Sequence, residues 1–191
     1  MQLLITGSHG QSGVKRLLLG SVAESLIRKS ECPVWVVKKN FHPPKKILVL
    51  TDLSESSRAG INFGVFWAKL YGASIHLVHA FLPPLLPSFA RMDTTEYDLK
   101  MREMSQEEFD KWVAEVRLSK LELSSEFLEG DIREWIEEII QKKNIDLVIL
   151  ATHGRSASFH KSLGSVSTYV ARHVPISFIT VRPEGFRLKE I

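Results

Sequence analysis

Glycine and serine residues with matching spacing occur twice in this chain of 191 residues. The first set consists of Gly7, Gly10, Gly20 and Ser21, and the second of Ala151, Gly154, Gly164 and Ser165. A loop that leaves a parallel strand and feeds a helix directs main-chain N–H groups at one place, and glycine lets an anion approach them closely. The spacing therefore predicts a phosphate-binding loop with a serine hydroxyl beside it. The alternative interpretation is that these glycines serve only tight turns and helix packing.

The region around these glycines is itself repeated. Leu3–Val22 aligns without a gap with Leu147–Val166 and, after a two-residue deletion, Pro33–Val37 aligns with Pro175–Ile179. An apolar run of strand length opens each copy, and apolar residues at helical spacing follow the glycines. Each copy is thus predicted to form a strand, a glycine loop, a helix and a second strand.

The remaining segments also alternate between strand and helix patterns. The predicted strands are Leu3–Thr6, Val34–Lys38, Lys45–Thr51, Ser74–Ala80, Ser124–Leu128, Ile145–Ala151 and Ile176–Val181. Such alternation is typical of an α/β fold, here a five-stranded, mostly parallel, doubly wound and Rossmann-like sheet. A β-α-β partial second copy precedes it.

The predicted domains are a partial copy at 1–39, a linker at 40–44, a complete domain at 45–183 and a tail at 184–191. The partial copy is too small to bury its own apolar surface, and its first strand has an open edge. We therefore expect it to pack on the complete domain or on another chain. A start inside a predicted strand suggests truncation.

Composition argues against several classes of protein. The net charge is +3 and acidic and basic residues alternate, so we expect no nucleic-acid partner. Cys32 is the only cysteine and no histidine pair has ligand spacing, so neither a disulfide framework nor a metal site is predicted. The apolar run in Met1–Gly10 is too short for a signal peptide or a membrane span, which favours a cytoplasmic location.

A specific family resemblance rests on the glycine motif. Gly-x-x-Gly, nine residues and Gly-Ser resembles the nucleotide-binding signature of the ATP-binding branch of the universal stress protein family, and the segments Leu50–Glu55 and Gly130-Asp131 also fit. The resemblance implies an adenine nucleotide alpha-hydrolase-like fold that binds ATP, with or without Mg. The implied site residues are Thr51, Asp52, Ala80, Ala151, Gly154, Gly164, Ser165 and Val166, and in the partial copy Gly7, Gly10, Gly20 and Ser21.

In that family the aspartate after the first strand meets the adenosine, which corresponds to Asp52 here. A residue that ends the second strand lines the adenine pocket, and the glycine loop holds the phosphates. Two departures occur in this chain: Ala151 replaces the first glycine of the complete copy, and the partial copy lacks the strand that would bring an aspartate. An alternative for Asp52 is partnership with a helix N-terminus. His9 and His153 recur without a repeated carboxylate, which favours a loop-stabilising role over general-base catalysis.

The function expected from this resemblance is adenine-nucleotide binding in stress or signalling, acting through ligand-dependent assembly and without catalysis. The motifs of a P-loop ATPase, a dinucleotide enzyme and a serine hydrolase are absent from the sequence. The alternative is a dimerisation module with a degenerate pocket, and a slow ATPase is a third hypothesis. Family members resemble one another in pairing their last strands across a dimer, so residues 33–38 and 175–181 are predicted to pair within this chain. The open side of the partial copy is then expected to recruit another chain.

Overall fold

A computed structural model describes residues 2–8, 19–38, 42–83, 95–152, 154 and 163–182. Within them the chain forms seven strands and five helices. In chain order these are β1 (Leu4–Gly7), α1 (Ser21–Lys29), β2 (Val34–Val37), β3 (Lys46–Thr51), α2 (Glu55–Tyr71), β4 (Ser74–Phe81), α3 (Thr95–Arg117), β5 (Leu123–Glu129), α4 (Ile132–Lys143), β6 (Leu147–Ala151), α5 (Ser165–His173) and β7 (Ser177–Val181).

The described strands form one sheet in the order β1-β2-β7-β6-β3-β4-β5. Neighbouring strands are parallel except for β2 and β7, which are antiparallel. The predicted α/β class with a mostly parallel sheet is therefore confirmed. Five of the described strands lie within residues 45–183, and β1 and β2 of the N-terminal segment extend the same sheet to seven.

The predicted pairing of the last strands is present within the chain. Val34 lies opposite Thr180, Trp35 opposite Ile179, and Val36 opposite Phe178. This pairing joins the N-terminal segment to the rest of the sheet. Association between separate chains stays a prediction.

The two copies keep a constant offset in residue number through strand, helix and strand. Gly7 lies opposite Val37 and Ala151 opposite Val181, so Gly7 is as far from Ala151 along the chain as Val37 is from Val181. The first residues of α1 and α5, Ser21 and Ser165, show the same separation. The two-residue deletion in the sequence alignment is therefore wrong. The alignment matched Pro33 to Pro175, since proline is common near strand starts. These two prolines lie at different distances before the equivalent strand residues, so matching them shifts the register.

This offset gives the β2–β7 junction a local twofold relation. Trp35 and Ile179 are equivalent positions of the two copies and also lie opposite each other, so the axis passes through this pair. The neighbouring pairs, Val34–Thr180 and Phe178–Val36, exchange under the same operation. The junction is thus built from equivalent strands of the two copies.

Helices cover both faces of the sheet and bury two cores. On one face α2 and α3 bury Phe63, Trp67, Phe109 and Trp112 against the strands. On the other face α1, α4 and α5 bury Ile27, Ile136 and Val170 among other apolar residues. Trp35 of β2 belongs to the first core, and its ring meets that of Trp67 edge-on with centroids 4.9 Å apart. The N-terminal segment is therefore part of the hydrophobic interior.

Candidate functional site

A cavity of about 470 Å³ lies at the carboxyl ends of β3, β4 and β6. Open α/β sheets bind ligands at this end of the strands. The cavity is lined by all eight residues that the family resemblance implied for the complete domain, namely Thr51, Asp52, Ala80, Ala151, Gly154, Gly164, Ser165 and Val166. The structure therefore brings these residues together, while their contact with a nucleotide remains a prediction.

Asp52 lies between the end of β3 and the start of α2. Its Oδ1 accepts hydrogen bonds from the main-chain N–H of Ser54 at 3.1 Å and from the Ser54 hydroxyl at 2.6 Å. Ser54, not Asp52, is the N-cap of α2, and it forms a reciprocal capping box with Ser57. Asp52 thus holds the capping residue in place and lines the cavity as well.

Gly154 lies close to the Asp52 carboxylate. A β-carbon built on Gly154 would lie 2.5 Å from Asp52 Oδ2. A side chain at this position would therefore require the Asp52 carboxylate to move. The φ of Gly154 lies outside the left-handed region, so the close approach and not the backbone conformation favours glycine here. The glycine loop after β6 and the end of β3 therefore meet at Asp52.

Ala151, which replaces the first glycine of the motif, is accommodated without backbone strain. Among the described residues other than glycine, only Leu53, Lys120 and Asn144 have a positive φ. Ala151 is the last residue of β6 and has strand geometry, so the penalty expected for a left-handed alanine does not arise. By strand alternation its methyl group lies on the same face as Ile149, which packs in the core beneath α2.

Helix α5 begins at the cavity without a side-chain cap. Its N-cap is Gly164, whereas Ser54 and Asp131 cap α2 and α4 through their side chains. The turn is held by the Gly164 N–H, which donates to the Thr152 carbonyl at 2.9 Å, and by the Ser167 hydroxyl, which donates to the Ala151 carbonyl at 2.8 Å. The first N–H groups of a helix carry partial positive charge and favour an anion.

The N-terminal copy has the same turn at the other end of the sheet. The Gly20 N–H donates to the Ser8 carbonyl at 2.8 Å, and α1 also starts at a glycine without a side-chain cap. Because β2 runs antiparallel to β7, Gly7, Gly20 and Ser21 face away from the cavity and do not join it. Gly10, His9 and His153 lie outside the described residues.

Sequence reasoning missed several polar residues of the cavity, among them His79 and Ser105. His79 is 5% exposed, and its Nδ1 lies 2.8 Å from the Thr51 carbonyl oxygen. Its Nε2 lies 2.9 Å from the hydroxyl oxygen of Ser105 on α3. The sequence offered one signal for His79, which directly precedes the predicted site residue Ala80. It offered none for Ser105, because a serine inside a charged helix is typical of a solvent-facing position.

The model of the Universal stress protein family matches residues 1–38 and 43–182. The chain belongs to the universal stress protein family. A universal stress protein of Mycolicibacterium smegmatis is 25% identical over 191 residues, which cover 95% of this chain and 62% of that protein. Universal stress protein E of Photorhabdus laumondii is 23% identical, covering 96% of this chain and 62% of its own length. The chain therefore spans less than two-thirds of the length of these relatives.

Solved structures share the fold of this universal stress protein. PA1789 of Pseudomonas aeruginosa superposes with a TM-score of 0.73 at 20% identity, over 95% of this chain and 63% of that one. MJ0577, whose structure was used to assign its biochemical function, superposes with a TM-score of 0.61 at 20% identity, over 73% of this chain and 96% of that one. One further universal stress protein was solved in complex with cAMP, but its TM-score is 0.48 and it bears on that protein alone.

Charged groups flank the cavity of this universal stress protein on the side of α4. Asp131 forms an ion pair with Arg133, whose Nε lies 2.9 Å and 2.8 Å from the two carboxylate oxygens. The hydrogen bonds from Arg133 lower the pKa of Asp131 below its ordinary value. Within the described ranges, no cluster of three or more His, Cys, Asp or Glu side chains could hold a metal ion, and none of the helices there is long and apolar enough to cross a membrane.

Proposed function

We propose that this universal stress protein binds ATP in the cavity at the ends of β3, β4 and β6, and that binding regulates its assembly. The observation that carries the proposal is the start of α5, where the cap residue, a glycine, supplies no side-chain acceptor to the first helical N–H groups at the wall of the cavity. A phosphate group supplies the acceptor and the negative charge that such a helix start favours. The cavity volume of about 470 Å³ is in the range typical of small-molecule pockets.

The lining residues suggest how the ligand would lie. The phosphates would meet Gly164, Ser165 and Val166, and the adenosine would lie towards Asp52 and the end of β4. Magnesium usually needs only one or two protein carboxylates when phosphates supply its other ligands. Two carboxylates, Asp52 and Asp131, line the cavity and would serve, and bound Mg would supply charge neutralisation of the phosphates.

A charge placed at the start of α5 tests this proposal. Ser165→Asp should raise the free energy of unfolding by about 0.3–1 kcal/mol, because an acidic residue complements the positive end of the helix. The same carboxylate should repel the phosphates and weaken Mg-ATP binding, measured by titration calorimetry and thermal shift. Opposite effects on stability and on affinity would distinguish phosphate binding from general damage to the fold.

The chain offers a matched control at the start of α1. Ser21 occupies the equivalent position in the N-terminal copy, and both serines are exposed. Ser21→Asp should stabilise the protein to a similar extent and leave Mg-ATP affinity unchanged, because α1 starts at the opposite end of the sheet. The ATP proposal is abandoned if the wild-type protein shows no thermal stabilisation at Mg-ATP well above millimolar.

Assembly is proposed to use the outer edge of β1. Residues 1–39 are then a partial second copy whose strand β1 corresponds to β6. The outer edge of β6 pairs with β3, whereas β1 ends the sheet of the described residues, with Leu4 38% and Ile5 64% exposed. An unpaired apolar edge is a template for another strand. We therefore propose that β1 recruits a strand of another chain.

Native mass spectrometry with and without Mg-ATP tests the assembly. Ile5→Lys should reduce the oligomer fraction, because a lysine on an edge strand opposes pairing. Leu118→Lys is the control, since Leu118 is 81% exposed just beyond α3 and away from β1. A monomer at all concentrations in the wild-type protein would contradict recruitment by β1.

A second candidate function is an interaction module that binds no ATP. The exposed apolar residues Leu4, Ile5 and Val22 of the N-terminal segment favour it, because they provide a partner surface independent of the cavity. Under this alternative, assembly persists in Ser165→Asp and does not respond to Mg-ATP.

For both candidates we propose binding without bond-breaking chemistry and a cytoplasmic location. The single cysteine, Cys32, is unpaired in the structure, which suits a reducing compartment. ATP turnover that survives extensive purification and is lost in Asp52→Ala would overturn the proposal of no catalysis.

A further inference from the structure

The two ends of the cavity differ in chemistry, which separates the place for a base from the place for phosphates. The end at α5 is formed by main-chain N–H groups and serines, whereas the end at β4 and α3 includes Phe81, Leu82 and Met101. Strands β4 and β6 lie on either side of β3, so these ends are about 10 Å apart at the usual strand spacing. A nucleotide with its phosphates at α5 would place its base in the apolar end.

Two polar side chains interrupt that apolar end, and their hydrogen bonds fix their roles. The Thr51 carbonyl can only accept, so Nδ1 of His79 carries the hydrogen in the bond of 2.8 Å between them. Burial among aromatic rings disfavours the charged ring, and in the neutral ring Nε2 is then an acceptor. The Ser105 hydroxyl, 2.9 Å from Nε2, must therefore donate its single hydrogen to His79. Ser105 lines the cavity with only its lone pairs available.

The packing of His79 keeps this arrangement in place. The ring is 5% exposed, and its centroid lies 6.0 Å from that of Phe109 and 5.4 Å from that of Phe127. The two hydrogen bonds join β3, β4 and α3 through one side chain. The core around His79 therefore keeps the Ser105 hydroxyl oxygen in its role as a hydrogen-bond acceptor for the ligand.

We infer that Ser105 selects the base of the ligand by accepting a hydrogen bond from an exocyclic amino group. The inference rests on the proposed ATP site and specifies its ligand. Adenine carries an amino group at position 6, whereas hypoxanthine and guanine carry an oxygen there. A 6-oxo base would set its oxygen against the lone pairs of Ser105, so ATP is favoured over ITP and GTP.

Calorimetric titration with Mg-ATP and Mg-ITP tests the inference, because these ligands differ only at the base. The wild-type protein should prefer ATP by about tenfold or more, the size expected for one hydrogen bond and one avoided repulsion. Ser105→Ala should weaken ATP binding with little loss for ITP, so that the ratio falls towards one. Ser119→Ala is the control, because Ser119 lies just beyond α3 with its hydroxyl donating to the Val116 carbonyl outside the cavity.

A second variant gives a change in the opposite direction. His79→Phe removes the acceptor and frees the Ser105 hydrogen, so Ser105 can then donate to a 6-oxo base. This variant should bind ITP more tightly than the wild-type protein does. Partial loss of structure cannot produce such an increase in affinity. Circular dichroism and thermal unfolding check that each variant is folded.

The outcomes separate this inference from the proposed function. Equal affinity of the wild-type protein for ATP and ITP, or an equal loss of both in Ser105→Ala, would overturn the role of Ser105 and leave the ATP site standing. Absence of binding of either nucleotide to the wild-type protein would overturn both.

Discussion

The contact between Asp52 and Gly154 predicts a strong energetic coupling between two segments of the cavity. In Gly154→Ala the new β-carbon would lie 2.5 Å from Asp52 Oδ2, so the carboxylate must move by roughly 1 Å to reach an ordinary contact. That movement strains the bonds to the N–H and hydroxyl of Ser54. A hydrogen bond to a charged group contributes about 1.5–3 kcal/mol to stability. Because the Asp52 carboxylate is partly exposed, its two bonds to Ser54 together contribute less than twice that amount. The gain of about 0.4–1 kcal/mol from replacing glycine offsets part of the loss.

We therefore expect Gly154→Ala to lower the free energy of unfolding by about 1–3 kcal/mol in the wild-type background. In the Asp52→Ala background the obstructing carboxylate is gone, so the same substitution should be neutral or slightly stabilising. Urea denaturation of the wild-type protein, both single variants and the double variant gives the coupling energy directly. An equal cost of Gly154→Ala in both backgrounds would refute the close contact as its cause.

Three further predictions concern the fold around the site. In urea denaturation, Gly64→Ala should destabilise the protein by about 1–3 kcal/mol, because its β-carbon would lie 2.7 Å from Val49 Cγ2. Gly60→Ala, whose β-carbon would have no contact nearer than 3.6 Å, should be neutral or stabilising by up to about 1 kcal/mol. Burial lowers the pKa of His76 in the folded state. The stability that the neutral His76 contributes is therefore present above its pKa in the unfolded chain, about 6.5, and is lost as the pH falls below that value. The free energy of unfolding, measured from pH 7 to 5, should depend less on pH in His76→Gln. Trp35→Ala should cost about 3–5 kcal/mol and accelerate amide exchange in β1 and β2 before the other strands, and uniform acceleration across the sheet would contradict this.

Local patterns predicted the elements whose causes are local. Strand β3 is an apolar run because both faces of the sheet are covered there, and α2 ends at Gly72 in the left-handed conformation that glycine favours. Helix α3 begins at Thr95, and apolar residues of its first turns, among them Tyr97, Leu99 and Met104, are exposed. Such turns are helical through propensity and surface charge rather than through burial.

Features that join distant segments were beyond the reach of local patterns. The pairing between β2 and β7, which lie near opposite ends of the chain, was predicted from the family resemblance and not from any local pattern. The link between His79 and Ser105 depends on how α3 packs against β4, and no spacing along the chain encodes that contact. Family resemblance identified the cavity residues at strand and helix ends, because motifs record positions along the chain. The sequence alignment misplaces the register of the two copies because it matches a shared proline, whereas the ladder fixes the register by strand pairing.

The position of β1 restricts how a nucleotide could influence assembly. Four strand spacings, about 19 Å, separate β1 from β3, and the intervening strands include the single antiparallel junction. A molecule attached along β1 would leave the mouth of the cavity open, so ligand and attached chain would not compete for space. Any influence of one on the other must travel mechanically across β6, β7 and β2, and stiffening that path should change the response of assembly to ATP while leaving each binding event intact.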